Sequence, residues 1–379
     1  MFKTPPKFKT ALRFILYDKS KSIGALFGVI ISTFLIGQQT GVFSFLTNSM
    51  NVLVGLNSQY IWVVDNHTEN ANALGRLDNR IEYELKSLKG IKNVHPLFVG
   101  GATVQFPQGD NTAVTLIGVS SPDFVGGPAQ FYEGKARNLL PDGAIAVDIF
   151  DTRVFPKTDL GTTLEINGRK AYIAARTKGV RGFGGVLVFT TIERARLWSA
   201  AGDNTASAFL VETSPGQDRQ QMIGVINKNI YGVRAWEGKE LGNKTIQFIL
   251  KNTSIATSIG TMVVFAFIAG FFIVGLTLFS AAVDRVKDYG TMKAIGATNG
   301  YIRRLIYTQA AIFAILGFSI GFLLIKGFTT AIAKQGLLIH FSPSFLIVFF
   351  MLICFIALGG ATFASRRISK FEPAEVFRF

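Results

Sequence analysis

Four long runs without a charged residue divide this chain: Ser22 to Asn48, Asn252 to Val283, Leu305 to Ile325, and His340 to Ser365. A helix crossing a bilayer needs roughly 20 predominantly apolar residues. Each run meets that length, so the pattern predicts four transmembrane helices, over 23–46, 252–283, 305–326 and 344–365. The first run is longer than the ~7–15 residues of a signal core and no small-residue cleavage site follows it, so it is expected to stay as an anchor. The second holds 32 uncharged positions, more than one span requires. With GNKTIQFILK before it, this run has two readings. One is a helix that starts outside the membrane and, beside the extension of the first span, forms a helical stalk. The other is a tilted span.

Between the first two spans the periodicity changes. Residues 47–250 alternate short strand patterns with helical ones, which predicts a large α+β domain inserted between helices 1 and 2. Strands are expected at 59–65, 102–106, 112–119, 143–149, 186–190 and 206–212. Helices are expected at 77–89, closed by Gly90, at 191–201 and at 215–230. Asn167-Gly168 between two alternating arms is a strong hairpin signal. Thr190 and Glu193 have the spacing of a capping box. His95, before Pro96, reads as a turn residue. RGFGG (181–185) reads as a flexible loop. Residues 327–343 are left as a short outer loop.

Charge orients the spans. The chain carries a formal charge of +15 and a mean hydropathy of +0.35. The head, 1–22, has Lys3, Lys7, Lys9, Arg13, Lys19 and Lys21 against Asp18 alone. Segment 284–304 has five bases against two acids, and the tail, 366–379, has four against two. Residues 46–250 are nearly balanced, with 21 bases and 19 acids. Basic excess in short segments marks the cytoplasmic side. Both termini and segment 284–304 are therefore expected inside, and the large domain outside. The charge then reflects topology and contact with the lipid bilayer, not a nucleic-acid partner. In the head, Phe8, Leu12, Ile15 and Leu16 share a helical face, either as an interfacial amphipathic helix or as a plain basic leader.

Most chemistries lack residues to carry them. There is no phosphate-binding G-x-x-x-x-G-K-[ST], no H-E-x-x-H and no cysteine cluster; Cys354 is the lone cysteine. His67 stands between Asp65 and Glu69 in a polar loop, where a solvated histidine is the common outcome. No nucleophile–base pair stands out, so no enzyme activity, metal or cofactor is expected in this chain. Apart from Lys326 at the very end of the third, no span carries Asp, Glu, Lys or Arg, whereas ion-coupled transporters keep such groups at the membrane midplane. Any work this protein does is expected to draw its energy from elsewhere.

Segment 284–304 is the one short segment with structure of its own. Val286, Tyr289 and Met292 recur at three-residue steps and share a helical face. Gly296 fits a helix stop. Thr298 or Asn299 can cap the next helix, which continues through Arg303 and Arg304 into the third span. On these residues alone two readings stand. The segment either receives a push that tilts span three or lies on the membrane surface as a connector.

DRVKDYGTMKAIGATNGYIRRLIYTQA resembles the cytoplasmic coupling segment of FtsX/MacB-type ABC transporter permeases. The matching positions are Arg285, Asp288, Gly290, Lys293, Ala294, Ile295, Gly296 and Ala297. The tail SRRISKFEPAEVFRF, with Pro373-Ala374 and Arg378, is similar to that family's ending. Within the family, length and the compact outer domain are most similar to DevC-type permeases of DevBCA glycolipid exporters. The resemblance implies a non-catalytic subunit of the inner membrane, paired as a homodimer. Asp284, Arg285, Lys287, Asp288, Tyr289, Gly290, Met292, Lys293, Ala294, Ile295, Gly296, Ala297 and Thr298 would couple it to a separate ABC ATPase that holds ATP and Mg²⁺. Motion would pass outward, driving efflux of a lipid, glycolipid or other amphiphile through a membrane-fusion adaptor and a TolC-like outer-membrane tunnel. The alternatives within the family are lipoprotein extraction and activation of cell-wall hydrolases. A membrane sensor is a more distant one.

The topology has a direct test. Cysteines placed at Lys287 and at Asp110, read against native Cys354, should react with impermeant reagents from opposite sides of the membrane. Labelling of both from outside would overturn the orientation.

Overall fold

The computed structural model describes residues 6–17, 19–153, 155 and 157–369. Lys3, Asp18, Lys370, Glu372, Pro373, Ala374, Glu375 and Arg378 of the sequence reading lie outside them. The chain forms two compact units. One comprises residues up to 44, 258–333 and the chain from 339 onward; the other comprises 45–257 and 334–338.

The first unit is helical. Helices α1 (Pro6–Tyr17) and α2 (Lys19–Met50) begin the chain. Later come α8 (Ser254–Val283), α9 (Val286–Ala294), α10 (Asn299–Ala333) and α11 (Pro343–Ser369). Among the described residues four helices are long and apolar enough to cross a membrane: 22–50, 257–283, 299–333 and 343–366. Where lipid replaces water, association between helices depends on close packing, which small residues permit. A side chain at Gly321 would meet Thr33, and one at Gly360 would meet the backbone of Gly275 at 2.9 Å. These contacts bring α10 against α2 and α11 against α8. In α1 the packed residues are Ala11, Phe14 and Ile15, while Leu12 and Leu16 are exposed. The buried side is thus rotated from the face the sequence pattern picks out.

The second unit holds a nine-stranded sheet and its helices. Its strands are β1 (Ile61–Asp65), β3 (Ile91–Gln105), β4 (Asn111–Val119), β5 (Ala144–Asp148), β6 (Thr163–Ile166), β7 (Arg169–Thr177), β8 (Val186–Thr191), β10 (Ala208–Thr213) and β11 (Val233–Glu237). Short β2 (Leu77–Asp78) pairs with β9 (Thr205–Ala206). The helices are α3 (Val52–Leu56), α4 (Ile81–Ser87), α5 (Ile192–Trp198), α6 (Arg219–Asn229) and α7 (Gly238–Asn252).

The sheet order is β11-β1-β10-β3-β4-β8-β5-β7-β6, and β6 also pairs with β3. That last pairing closes β3, β4, β8, β5, β7 and β6 into a six-stranded ring. Closure removes sheet edges that would otherwise present unpaired backbone groups. Alternate residues of the ring, among them Val114, Leu116, Ile145, Val147, Ile173 and Val188, pack into one core. The fifteen-residue β3 serves two neighbourhoods. Its first half pairs with β10, and from Leu97 onward it pairs with β4.

Several local expectations change. His95 is a strand residue opposite Leu210, not a turn residue. Pro96 is tolerated because pairing with β4 begins only at Leu97, leaving Pro96 a neighbouring strand on one side. The helix expected over 77–89 shortens to Ile81–Ser87, since Asp78 accepts from the Arg80 N–H and holds a turn. The capping box does not form. Thr191 is the N-cap residue of α5, and the Thr190 hydroxyl donates to the Ala144 carbonyl. The hairpin turn stands as read, with Asn167 and Gly168 at φ +48° and +74°. The run before the second span is not continuous with it: Thr253 is extended (φ −123°, ψ 132°) and separates α7 from α8.

Residues 334–338, part of the segment 327–343 expected as a short outer loop, pack into the sheet unit. A Cβ on Gly336, at φ +85°, would collide with Phe150 and Arg181. In the same neighbourhood Asp151 is 2% exposed, and Arg181 donates to its Oδ1 at 3.1 Å. Burial, reinforced by nearby Asp148, pushes the Asp151 carboxyl up to about 6. The folded chain therefore favours the protonated acid. This group's stabilising contribution is complete below pH ~4 and is lost as pH rises through about 6. Asp151→Asn should flatten the decline in thermal stability between pH 4.5 and 7.5, by up to about 3 kcal/mol. An unchanged pH slope in the variant would contradict the assignment.

Candidate functional site

Segment 284–304 lies within the helical unit, and its short helix is tied to four neighbours. Tyr289 has no exposed surface, and its hydroxyl donates to Gln309 Oε1 of α10 at 3.0 Å. Its ring stacks on Phe14 of α1, with centroids 6.1 Å apart and planes 3° from parallel. Burial pushes the phenol up to about 12, so it remains a neutral donor at physiological pH. Arg285 is 3% exposed and donates through Nη2 to Ser22 Oγ at 2.8 Å. Ser22, at the start of α2, donates in turn to the Ile15 carbonyl of α1. Lys293 reaches across to the Ile368 carbonyl in the last turn of α11 at 3.0 Å.

The turn after α9 follows from its hydrogen bonds. Ala297 N–H donates to the Met292 carbonyl, and Gly296 N–H to the Lys293 carbonyl. That pair defines a Schellman motif with Gly296 at C′, the left-handed position, here at φ +102°. Met292 and Ala297 both pack against the bundle core, as the motif's apolar contact requires. The Thr298 hydroxyl accepts from the Tyr301 N–H and caps α10. From there α10 runs without a break to Ala333.

The predicted coupling residues fall into two sets. Arg285, Tyr289 and Gly290 are buried, and Met292, Lys293 and Ala297 are half-buried. Asp284, Lys287, Asp288, Ala294, Ile295, Gly296 and Thr298 are exposed. Ile295 is 82% exposed, an unusual position for a large apolar side chain. It borders a cleft of about 390 Å³ lined also by Met292, Ala297 and Tyr301. A second cleft, of about 900 Å³, lies between α1 and α9, lined by Arg13, Phe14, Tyr17, Asp288 and Met292 among others.

Sequence reasoning missed the partners Phe14, Ser22, Gln309 and Ile368. Gln309 alone left a signal, as a polar side chain within an uncharged span. A push on α9 would therefore bear on α1, α2, α10 and α11 together, where the sequence pattern pointed to the third span alone. Among the described residues no group of three or more His, Cys, Asp or Glu side chains is placed to hold a metal, His67 and Glu69 included.

Residues 260–373 match the FtsX-like permease C-terminal family. The FtsX-like segment takes in most of α8 and all of α9, α10 and α11. A comparison with curated proteins gives no match. Three solved structures are weakly similar. The extracellular domain of the noncanonic ABC-type transporter YknZ from Gram-positive bacteria is 16% identical, with 47% of this chain and 98% of that one covered and a TM-score of 0.36. The periplasmic region of MacB from Actinobacillus actinomycetemcomitans is 11% identical, with coverage of 53% and 96% and a TM-score of 0.37. A domain of a permease protein from Porphyromonas gingivalis is 11% identical, with coverage of 48% and 91% and a TM-score of 0.33.

The buried bonds of the FtsX-like segment set expectations for stability. Tyr289→Phe leaves Gln309 Oε1 without its donor and should destabilise the solubilised protein by about 1–3 kcal/mol. Gly296→Ala meets no clash but forces a Cβ into left-handed backbone, at about 1–2 kcal/mol. Thermal unfolding in detergent checks both. A melting temperature unmoved by Tyr289→Phe would mean the hydrogen bond does not hold the segment.

Proposed function

We propose that this chain is the membrane-spanning, non-catalytic subunit of an ABC exporter. A separate ATPase acts on α9, and the movement passes through the bundle to the sheet unit. The observation that carries the reading is the two-sided character of α9 within the FtsX-like segment. Its inner side is fixed by Tyr289, Arg285 and Lys293 to four helices. Its outer side ends in the exposed Ile295, with Lys287 and Asp288 on the preceding turns. Ile295 supplies an apolar contact for the ATPase surface, and the flanking charges set its orientation.

Several further features support the reading. α8 ends at Val283 and α10 begins at Asn299, so little slack chain surrounds α9. Within the sheet unit, Met50 at the end of α2 packs with Ile249 of α7, which supports a pairing of these two helix ends as a stalk. The basic head and tail and basic segment 284–304 support cytoplasmic termini in an inner membrane. By resemblance to DevC-type and MacB-type permeases, the unit works as a homodimer. Its cargo is a lipid, glycolipid or other amphiphile, passed to a membrane-fusion adaptor and a TolC-like tunnel. ATP and Mg²⁺ bind in the partner ATPase.

Ile295→Asp tests the contact without touching the buried bonds. Co-expressed with its ATPase, the variant should insert at normal levels while co-purification of the ATPase falls by roughly tenfold or more, the loss of one central apolar anchor. Undiminished co-purification and normal ATP-dependent export in this variant would refute the coupling role.

A further inference from the structure

The sheet unit contains a second site that the coupling reading does not use. It is a cleft of about 410 Å³ between β11, the C-terminal half of α7 and the loop that follows β1. Strand periodicity places Arg234 and Trp236 on one face of β11. Helical periodicity places Lys244, Gln247, Phe248 and Lys251 on one face of α7, at steps of three, four and seven. The guanidinium carbon of Arg234 lies 4.2 Å from the centre of the Trp236 ring, and Lys244 Nζ lies 4.1 Å from it.

Three cations thus converge where one acid, Glu69, lines the same cleft. None of Arg234, Lys244, Lys251 or Glu69 forms an ion pair among the described residues. Like charges held close without a counter-charge are unfavourable, and a bound anion relieves that cost. A second, independent observation concerns Trp236. The residue is 6% exposed and its indole Nε1 is buried without an acceptor among the described residues. A buried donor without an acceptor is uncommon in folded chains. Phe248 adds an apolar wall.

We propose that this cleft binds an oxyanion, a phosphate or carboxylate, attached to an apolar group. Arg234, Lys244 and Lys251 neutralise the charge, while Trp236 and Phe248 cover the adjoining apolar part. The position along the chain fits an amphiphile. Lys251 stands six residues before Thr257, where the second apolar span begins, and six residues reach at most ~21 Å. The proposal asks nothing of α9, so its failure and the failure of the coupling reading are separable.

Full-length protein labelled with 5-fluorotryptophan and purified in dodecyl maltoside provides the test. Its three tryptophans, Trp62, Trp198 and Trp236, give separate fluorine resonances, and Trp236→Phe assigns the third. Titration with dodecyl phosphate should shift the Trp236 signal saturably and leave Trp62 and Trp198 in place. Lys244→Gln should raise the midpoint by roughly tenfold. Lys251→Gln, an exposed change that spares the Trp236 contacts, should raise it several-fold. A shift with dodecyl phosphate alone would make the ligand a lipid headgroup and supports the proposal; an equal shift with inorganic phosphate would make free phosphate the ligand and overturn the apolar half of it. A Trp236 signal that stays still with both probes, moves equally with dodecyltrimethylammonium, or keeps its midpoint in Lys251→Gln and Lys244→Gln would overturn the proposal.

Discussion

A phenol with no exposed surface must find its hydrogen-bond partner inside the protein, and the helical unit is arranged around how Tyr289 does so. Gln309 supplies the acceptor, and Gln309 belongs to a helix otherwise apolar enough to cross a membrane. Leaving either group unpaired would cost about 1–3 kcal/mol. The bond therefore fixes which turn of α10 faces α9. Phe14 stacked on the same ring fixes α1, and Arg285 bonded to Ser22 fixes the start of α2. These contacts make α9 part of the bundle and not a connector lying over it.

The same contacts explain how the helix can have two faces with different work. The buried face is satisfied internally, so the exposed one is free to present Ile295. The Schellman turn at Gly296 joins the two. It closes α9 with its own backbone bonds and hands the chain to the Thr298 cap within a few residues. A flexible linker at that place would absorb displacement. A closed turn followed by a 35-residue helix leaves little slack to absorb it.

The sheet unit is built on a different constraint. The ring of β3, β4, β8, β5, β7 and β6 has no open edge, and the length of β3 lets it serve the flanking β10-β1-β11 sheet as well. Because 334–338 pack within this unit, the chain passes between the two units four times and not twice. The connector between α10 and α11 is thus held at Gly336 by Phe150 and Arg181, and the third long apolar helix leads directly into it. The cationic cleft between β11 and α7 arises from the meeting of two periodicities. β11 contributes Arg234 to it, and α7 contributes Lys244 and Lys251.

The four long apolar helices, the inserted α+β domain, the Asn167-Gly168 hairpin and the stop at Gly296 were legible in the sequence. Each depends on local rules: apolar length, periodicity and the tolerance of glycine for positive φ. The shared face of Val286, Tyr289 and Met292 was legible too, but not what it faces. The partners Phe14, Ser22, Gln309 and Ile368 lie between 20 and more than 260 residues away along the chain, and no periodicity reports on them. Tertiary packing also placed His95 in a strand and broke the helix at Thr253. It moved Thr190 from a cap to a bond with Ala144 and brought Arg234, Lys244 and Lys251 together. Local sequence determines which segments become helix, strand or turn because backbone sterics and side-chain period act over a few residues. Which polar groups meet is decided only when segments distant in the chain pack and each buried donor has to find an acceptor.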